Sequence, residues 1–267
     1  MSPDREKKTE PGKGGRGVPL DVKDRLVVAL DFDSGEQALE MARQLGGLVS
    51  IYKVGIELHA AEGNDVVRSL ISSGKRIFLD LKYFDVPETI ERGVRKVASM
   101  GVSFLTIHGH GPNVRAAVRG RGSTDLKLLS VTVLTSLDAS DVQDLFGCAC
   151  SVEDLVLKRA AAALAAGCDG VIASGQEASK IRQLVGDKSG KIRELTGRKL
   201  LIVTPGIRPE GFLTDDQKRR VTPREAIVVG ADYLVVGRPI TRDPNPRQAA
   251  ERILAEMQDG LASRVRA

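Results

Sequence analysis

No tryptophan occurs in the 267 residues, and aromatic residues make up only 3% of the chain. An array of rings on which bases could stack cannot be built from so few, so nucleic acid is not an expected partner. Cysteine is equally scarce. Cys148, Cys150 and Cys168 form no C-x-x-C pair and are odd in number, which predicts reduced thiols in a cytoplasmic protein rather than a disulfide framework or a zinc site. No apolar run reaches membrane-spanning length, so no membrane partner is expected either. The opening stretch, MSPDREKKTEPGKGGRGVPLD, lacks the apolar segment of a secretory signal. Its Pro, Gly and Lys content predicts a disordered tail over residues 1–22, ahead of one domain over 23–267. Also missing are a G-x-G-x-x-G after the first strand, a P-loop and a Ser-His-Asp set. Neither sign of charge dominates: 40 basic against 35 acidic residues leave a net charge of +5. That balance fits a mixed solvated surface or a local anion site.

What the chain does contain is rhythm. Hydrophobic residues at 42% and charged residues at 28% are ordinary for a globular fold. Runs rich in Val, Ile and Leu recur at 25–31, 50–55, 76–81, 103–108, 126–134, 168–174, 199–206 and 232–238. Several are nearly continuous, as strands of a parallel sheet covered on both faces must be. Helical stretches fall between and after them, at about 35–46, 57–73, 88–100, 112–119, 151–166, 176–186, 223–230 and 246–258. Ser151 with Asp154 resembles an N-cap pair, Gly167 a C-terminal stop and Pro87 a helix start. Eight strand–helix units of roughly 29 residues each predict a single (β/α)8 TIM barrel of the α/β class. Two connections are long, at 135–150 and 204–222. The first has room for a short helix, and the second reads as a lid or binding loop.

In such a barrel, chemistry gathers at the C-terminal ends of the strands. Polar residues end the apolar runs there: Asp31, Lys53, Asp80, Lys82, His108, Thr135, Ser174, Arg208 and Arg238. Asp80 and Lys82 are two apart, so both should face the barrel mouth while Leu81 packs outward. Lys53 ends the neighbouring strand, and Asp85 stands where the third helix begins. Two ammoniums and two carboxylates would then alternate in one place. From pattern alone this is either an active site or a structural ion-pair network at the rim. Gly237-Arg238 after the eighth strand suits an anion, since glycine admits a backbone N–H and arginine offers a fork. Barrels often hold phosphate between the loops after strands seven and eight.

The segments VVALD, YKVG, DLKYFDVPET, VTVLTS, TPGIRP, DDQKR and VVGRPIT stand in this order. Together they resemble the orotidine 5′-monophosphate decarboxylase family over most of the chain after residue 22. The resemblance implies cofactor-free, metal-free decarboxylation of orotidine 5′-phosphate (OMP) to UMP in pyrimidine biosynthesis, by a homodimer whose active sites are shared. It implies that Lys53, Asp80, Lys82 and Asp85 form a charged tetrad, with Asp85 reaching the partner subunit's site and Lys82 donating the proton. Asp31 and Lys53 match contacts to ribose hydroxyls, and Thr89 a second ribose contact from the neighbouring chain. Thr135 matches a pyrimidine contact. Arg208, Gln217, Gly237 and Arg238 match the partners of the phosphate. Phe84 and Glu88 depart from the family, standing where many bacterial members have His and Asn.

Two rival readings remain at this stage. Magnesium-dependent phosphosugar decarboxylases or synthases of the same superfamily share D-x-K-x-x-D, but they carry an acidic residue where this chain has Lys53, whose charge would repel the cation. A non-catalytic anion-binding module would fit the basic pI of about 9.1. His108-Gly109-His110 reads as structural rather than metal-ligating, and His59 as a surface or packing residue.

Overall fold

Eight short strands close on themselves in chain order: β1 (Leu26–Ala29), β2 (Ile51–Gly55), β3 (Arg76–Tyr83), β4 (Phe104–His108), β5 (Lys127–Val131), β6 (Gly170–Ile172), β7 (Leu201–Thr204) and β8 (Tyr233–Val236). Each pairs in parallel with its neighbours, and β1 meets β8 to complete the barrel. The structure is a computed structural model, and it describes residues 21–108, 111–147, 150–186, 200–210 and 220–266. Of the expected tail over 1–22, only Asp21 and Val22 fall among them.

The predicted rhythm is present. The covering helices are α1 (Gly35–Leu45), α2 (Ile56–Ser72), α3 (Pro87–Ser99), α4 (Gly111–Arg121), α5 (Ala139–Phe146), α6 (Val152–Ala165), α7 (Gly175–Gly186), α8 (Pro223–Val228), α9 (Arg238–Thr241) and α10 (Pro246–Arg266). Local chemistry places their ends. The Ser151 hydroxyl accepts from Asp154 N at 3.0 Å and caps α6, with Gly167 in a left-handed conformation just after that helix. Pro87 occupies the first turn of α3. The long connection after β5 holds α5, opened by a capping box between Asp138 and Asp141. Nothing in the sequence announced α9, because four residues carry no periodicity.

Strand alternation sorts the core into two layers. Residues such as Val27, Ile51, Phe78, Phe104, Leu129 and Val235 fill the barrel interior. Phe104 sits edge-on to both Phe78 and Tyr233, at centroid separations of 6.1 and 5.1 Å. Their strand neighbours, such as Val28, Val54, Leu79 and Leu105, face outward under the helices.

The N-terminal end of the barrel is fastened by two similar ionic clasps. Asp169, just before β6, accepts from Leu128 N at 2.9 Å and pairs with Arg121 of α4. Asp232, just before β8, accepts from Ile202 N at 3.0 Å and pairs with Arg182 of α7. The Arg182 guanidinium also donates to the carbonyls of Gly230 and Leu200. Each carboxylate thus ties the start of its own strand to the preceding strand and to a helix.

Candidate active site

β3 departs from the prediction where the charges begin. It was expected to end at residue 81 and instead runs to Tyr83. Its register with β4 slips on the way: Leu79 pairs with Leu105, and the next pair is Tyr83 with Ile107. Three residues of β3, Asp80 to Lys82, therefore stand opposite Thr106 alone. Strict alternation is broken, and Lys82 takes a left-handed backbone with φ of 48°. Asp80 and Lys82 still come together, and Leu81 packs outward against the helical layer.

A row of alternating charges crosses the mouth. Asp31 Oδ1 accepts from Lys53 Nζ at 2.8 Å, Lys53 Nζ lies 3.8 Å from Asp80 Oδ2, and Lys82 Nζ donates to Asp80 Oδ1 at 3.0 Å. Lys53 is buried, whereas Lys82 and Asp80 are half-buried and open to the mouth. Opposite charges at these separations hold both ammoniums in place where the apolar barrel interior ends. The fourth member within one chain is Asp31. Asp85 is exposed, and its carboxylate accepts from the next residue's own N–H, Val86 N, at 2.6 Å. The Asp85 carbonyl accepts from Asn113 of α4 at 3.0 Å. Thr89 is exposed on the first turn of α3, on the same rim.

Beyond Asp31 the mouth opens into a cavity of about 620 Å³, with Asp31, Phe32, Gly237, Arg238 and Arg242 among its walls. A Cβ built on Gly237 would lie 3.8 Å from Asp31 Oδ2, so this cavity and the charged row share a border. Arg238 is half-buried there and opens α9. Arg208 is buried, with its guanidinium donating to the Ile207 carbonyl at 2.8 Å. The two ends of the long loop after β7 meet next to it, where Ile207 bridges Val221 and Arg208 N donates to Val221 O at 3.0 Å. Gln217 lies outside the described residues, as do Gly109, His110 and Cys148.

Thr135 is half-buried in the turn after β5, and Ser174 is buried and caps the backbone of Gln176 at 3.2 Å. His108 stands beside Phe84, with ring centroids 6.4 Å apart. Burial first, and then the charges of Arg159 and Lys82, hold its imidazole below the usual histidine range. His59 is away from this group, bonded to Asn64 at 3.2 Å. Burial pushes the Cys168 thiol up to about 12, as for an inert core cysteine. Among the described residues, no cluster of three or more His, Cys, Asp or Glu could hold a metal ion.

Two residues escaped the sequence reading. Gly55 ends β2, and a Cβ there would lie 2.8 Å from Lys53 Nζ and 3.1 Å from Asp31 Oδ1, so any larger residue would push that ion pair apart. Thr106 donates its hydroxyl hydrogen to Asp80 Oδ1 at 2.9 Å and accepts from Lys82 N at 3.0 Å. A polar residue two positions after Phe104, on the same inward face of β4, was the available signal for it.

Comparison with known proteins places this geometry among relatives. The sequence model of the orotidine 5'-phosphate decarboxylase / HUMPS family matches residues 24–253. An orotidine 5'-phosphate decarboxylase from Nitrobacter winogradskyi is 49% identical over 240 residues, covering 90% of this chain and 95% of its own. One from Methylococcus capsulatus is 46% identical over 247 residues, covering 92% of this chain and 96% of its own. Among solved structures, orotidine 5'-phosphate decarboxylase from Lactobacillus acidophilus superposes with a TM-score of 0.72 at 35% identity, over 88% of this chain and 99% of that one.

Proposed function

The chain belongs to the orotidine 5'-phosphate decarboxylase / HUMPS family, and from that premise we propose that it converts OMP to UMP and CO2. The observation that carries this reading is the alternating row Asp31–Lys53–Asp80–Lys82 beside a cavity walled by Gly237 and Arg238. The row suits a ribosyl pyrimidine and the cavity its 5′-phosphate.

In the proposed reaction the bond from C6 to the carboxylate breaks, its electron pair stays on C6, and CO2 departs. The Lys82 ammonium then transfers a proton to C6. Charge develops on an sp2 carbon that the ring cannot easily relieve, so the protein itself must supply the opposing field. An ammonium about 4 Å from that carbon contributes about 4 kcal/mol at an effective dielectric near 20. Large enzymatic accelerations need about 20 kcal/mol, so Lys82 is one contributor among several. Asp80 adds a like charge beside the substrate carboxylate that is relieved as CO2 leaves. Binding of the remote phosphate by Arg238, Gly237, Arg208 and Gln217 supplies positioning energy. Asp31 and Lys53 hold ribose hydroxyls, and Thr135 faces the pyrimidine.

The reading includes a homodimer with shared sites. Asp85 and Thr89 sit on a rim that also exposes Phe84, Val86 and Ile56 at 68%, 63% and 61%. Apolar side chains left open this far mark a contact surface. Covering that rim with a second copy would bring Asp85 and Thr89 to the partner's site. No cofactor or metal takes part, and neither nucleic acid nor membrane is a partner. Among the described residues, no helix is long and apolar enough to cross a membrane, and a cytoplasmic location is proposed. The barrel is proposed to act as one domain, and the tail expected over 1–22 reaches too far, since Val22 opens a short 3-10 turn and packs against the core.

The Lys53 ammonium sets this reading against a magnesium-dependent phosphosugar enzyme, because a fixed cation beside Asp80 opposes a divalent ion there. The decisive experiment follows the absorbance of OMP with purified protein in EDTA. Turnover to UMP is expected with EDTA present. Activity that disappears in EDTA and returns with Mg²⁺, or no turnover of OMP at all, would overturn the proposal.

A further inference from the structure

The β3 irregularity places a residue that the family resemblance did not assign. Between the paired residues Leu79–Leu105 and Tyr83–Ile107, three β3 residues face the single β4 residue Thr106. A slipped ladder leaves backbone groups of the longer segment without a strand partner. The Thr106 hydroxyl answers this. It accepts from Lys82 N at 3.0 Å, at the residue whose backbone is left-handed, and donates to Asp80 Oδ1 at 2.9 Å. That same Asp80 oxygen receives Lys82 Nζ at 3.0 Å. Thr106 is fully buried, so bulk water is not at hand to replace either bond.

Resting on the decarboxylase reading, we infer that Thr106 is a positioning residue: its hydroxyl locks the Lys82 backbone and the Asp80 carboxylate into the one arrangement that aims the Lys82 ammonium at the reacting carbon. The role calls for a side chain that both donates and accepts, and the threonine hydroxyl does both from one atom. Serine keeps both functions. Valine has nearly the same shape and keeps neither. Without the hydroxyl, Asp80 Oδ1 loses one of its two donors and the Lys82 amide its acceptor. The ammonium then samples orientations away from the substrate, although the groups that bind ribose and phosphate are untouched. Loss of alignment in an active site is felt in the chemical step more than in binding.

The test compares wild type, Thr106→Val and Thr106→Ser in single-turnover OMP decarboxylation with protein in excess, alongside the dissociation constant of UMP. The expected result for Thr106→Val is a single-turnover rate down at least about tenfold with UMP affinity within about threefold of wild type, the size of effect that a misplaced catalytic group produces. Thr106→Ser should recover most of the rate. Thr106→Ala serves in the same way if the valine variant fails to fold. A Thr106→Val rate equal to wild type would overturn the inference, as would serine as slow as valine or UMP affinity falling in step with the rate. Wild-type protein with no OMP turnover would instead overturn the decarboxylase reading, and this inference with it.

Discussion

Replacing Arg238 with alanine isolates the proposed phosphate contact from everything else in the site. Arg238 is half-buried on the wall of the 620 Å³ cavity, next to Gly237 and across a short border from Asp31. A guanidinium fork can give a phosphate two charge-assisted hydrogen bonds, each contributing about 1.5–3 kcal/mol. Half-exposure screens the charge, and Arg242 on the same cavity wall retains some positive potential, so the lower end, about 3 kcal/mol, is expected. At about 1.4 kcal/mol per tenfold, kcat/KM for OMP should fall on the order of a hundredfold. Unphosphorylated orotidine has nothing for Arg238 to hold, and its kcat/KM should change by less than about twofold. The assay is the pair of kcat/KM values for the two substrates with wild-type and Arg238→Ala protein. Equal losses on both substrates would refute the phosphate assignment and place Arg238 in the architecture of the mouth instead.

Mixing tests the shared site. Lys82→Ala and Asp85→Ala proteins should each be inactive, and an equimolar mixture allowed to exchange subunits should recover about a quarter of wild-type activity. Random pairing makes half the dimers mixed, each with one intact site, and a mixture as inactive as its components would rule the arrangement out. At the opposite end of the barrel, Asp232→Asn removes the charge that Arg182 pairs with while leaving Arg182 its carbonyl acceptors. A loss of about 2 kcal/mol is expected, less than full rupture of a buried pair, and a Tm lower by about 4–8 °C. Calorimetry beside an OMP assay well below the melting point checks this, and a kcat reduced severalfold there, with the protein still folded, would contradict a purely structural clasp.

The fold was legible because buried parallel strands must be apolar on both faces, and runs such as RLVVALD and DYLVVGR can hardly be anything else. Strand ends were harder. β3 runs two residues past its predicted end because a register slip, unlike a turn, leaves no signature in residue type. Charged residues closing apolar runs pointed to Lys53, Asp80 and Lys82, which the structure brings within 3.8 Å of one another in sequence along the row. The partition between Asp31 and Asp85 was not readable from spacing, since it depends on which side of the rim the chain turns toward after Tyr83. Thr106 stayed hidden for a simple reason: threonine favours strands, so its presence in FLTIH needed no further explanation.

Lys82 is the one described residue other than glycine whose backbone is left-handed. Glycine would sit there more comfortably, and asparagine nearly so, yet neither carries an amine. With Lys82 as the proton donor proposed above, endurance and turnover favour different amino acids at a single position. A search rewarding sturdiness alone would drift toward a well-folded but silent barrel.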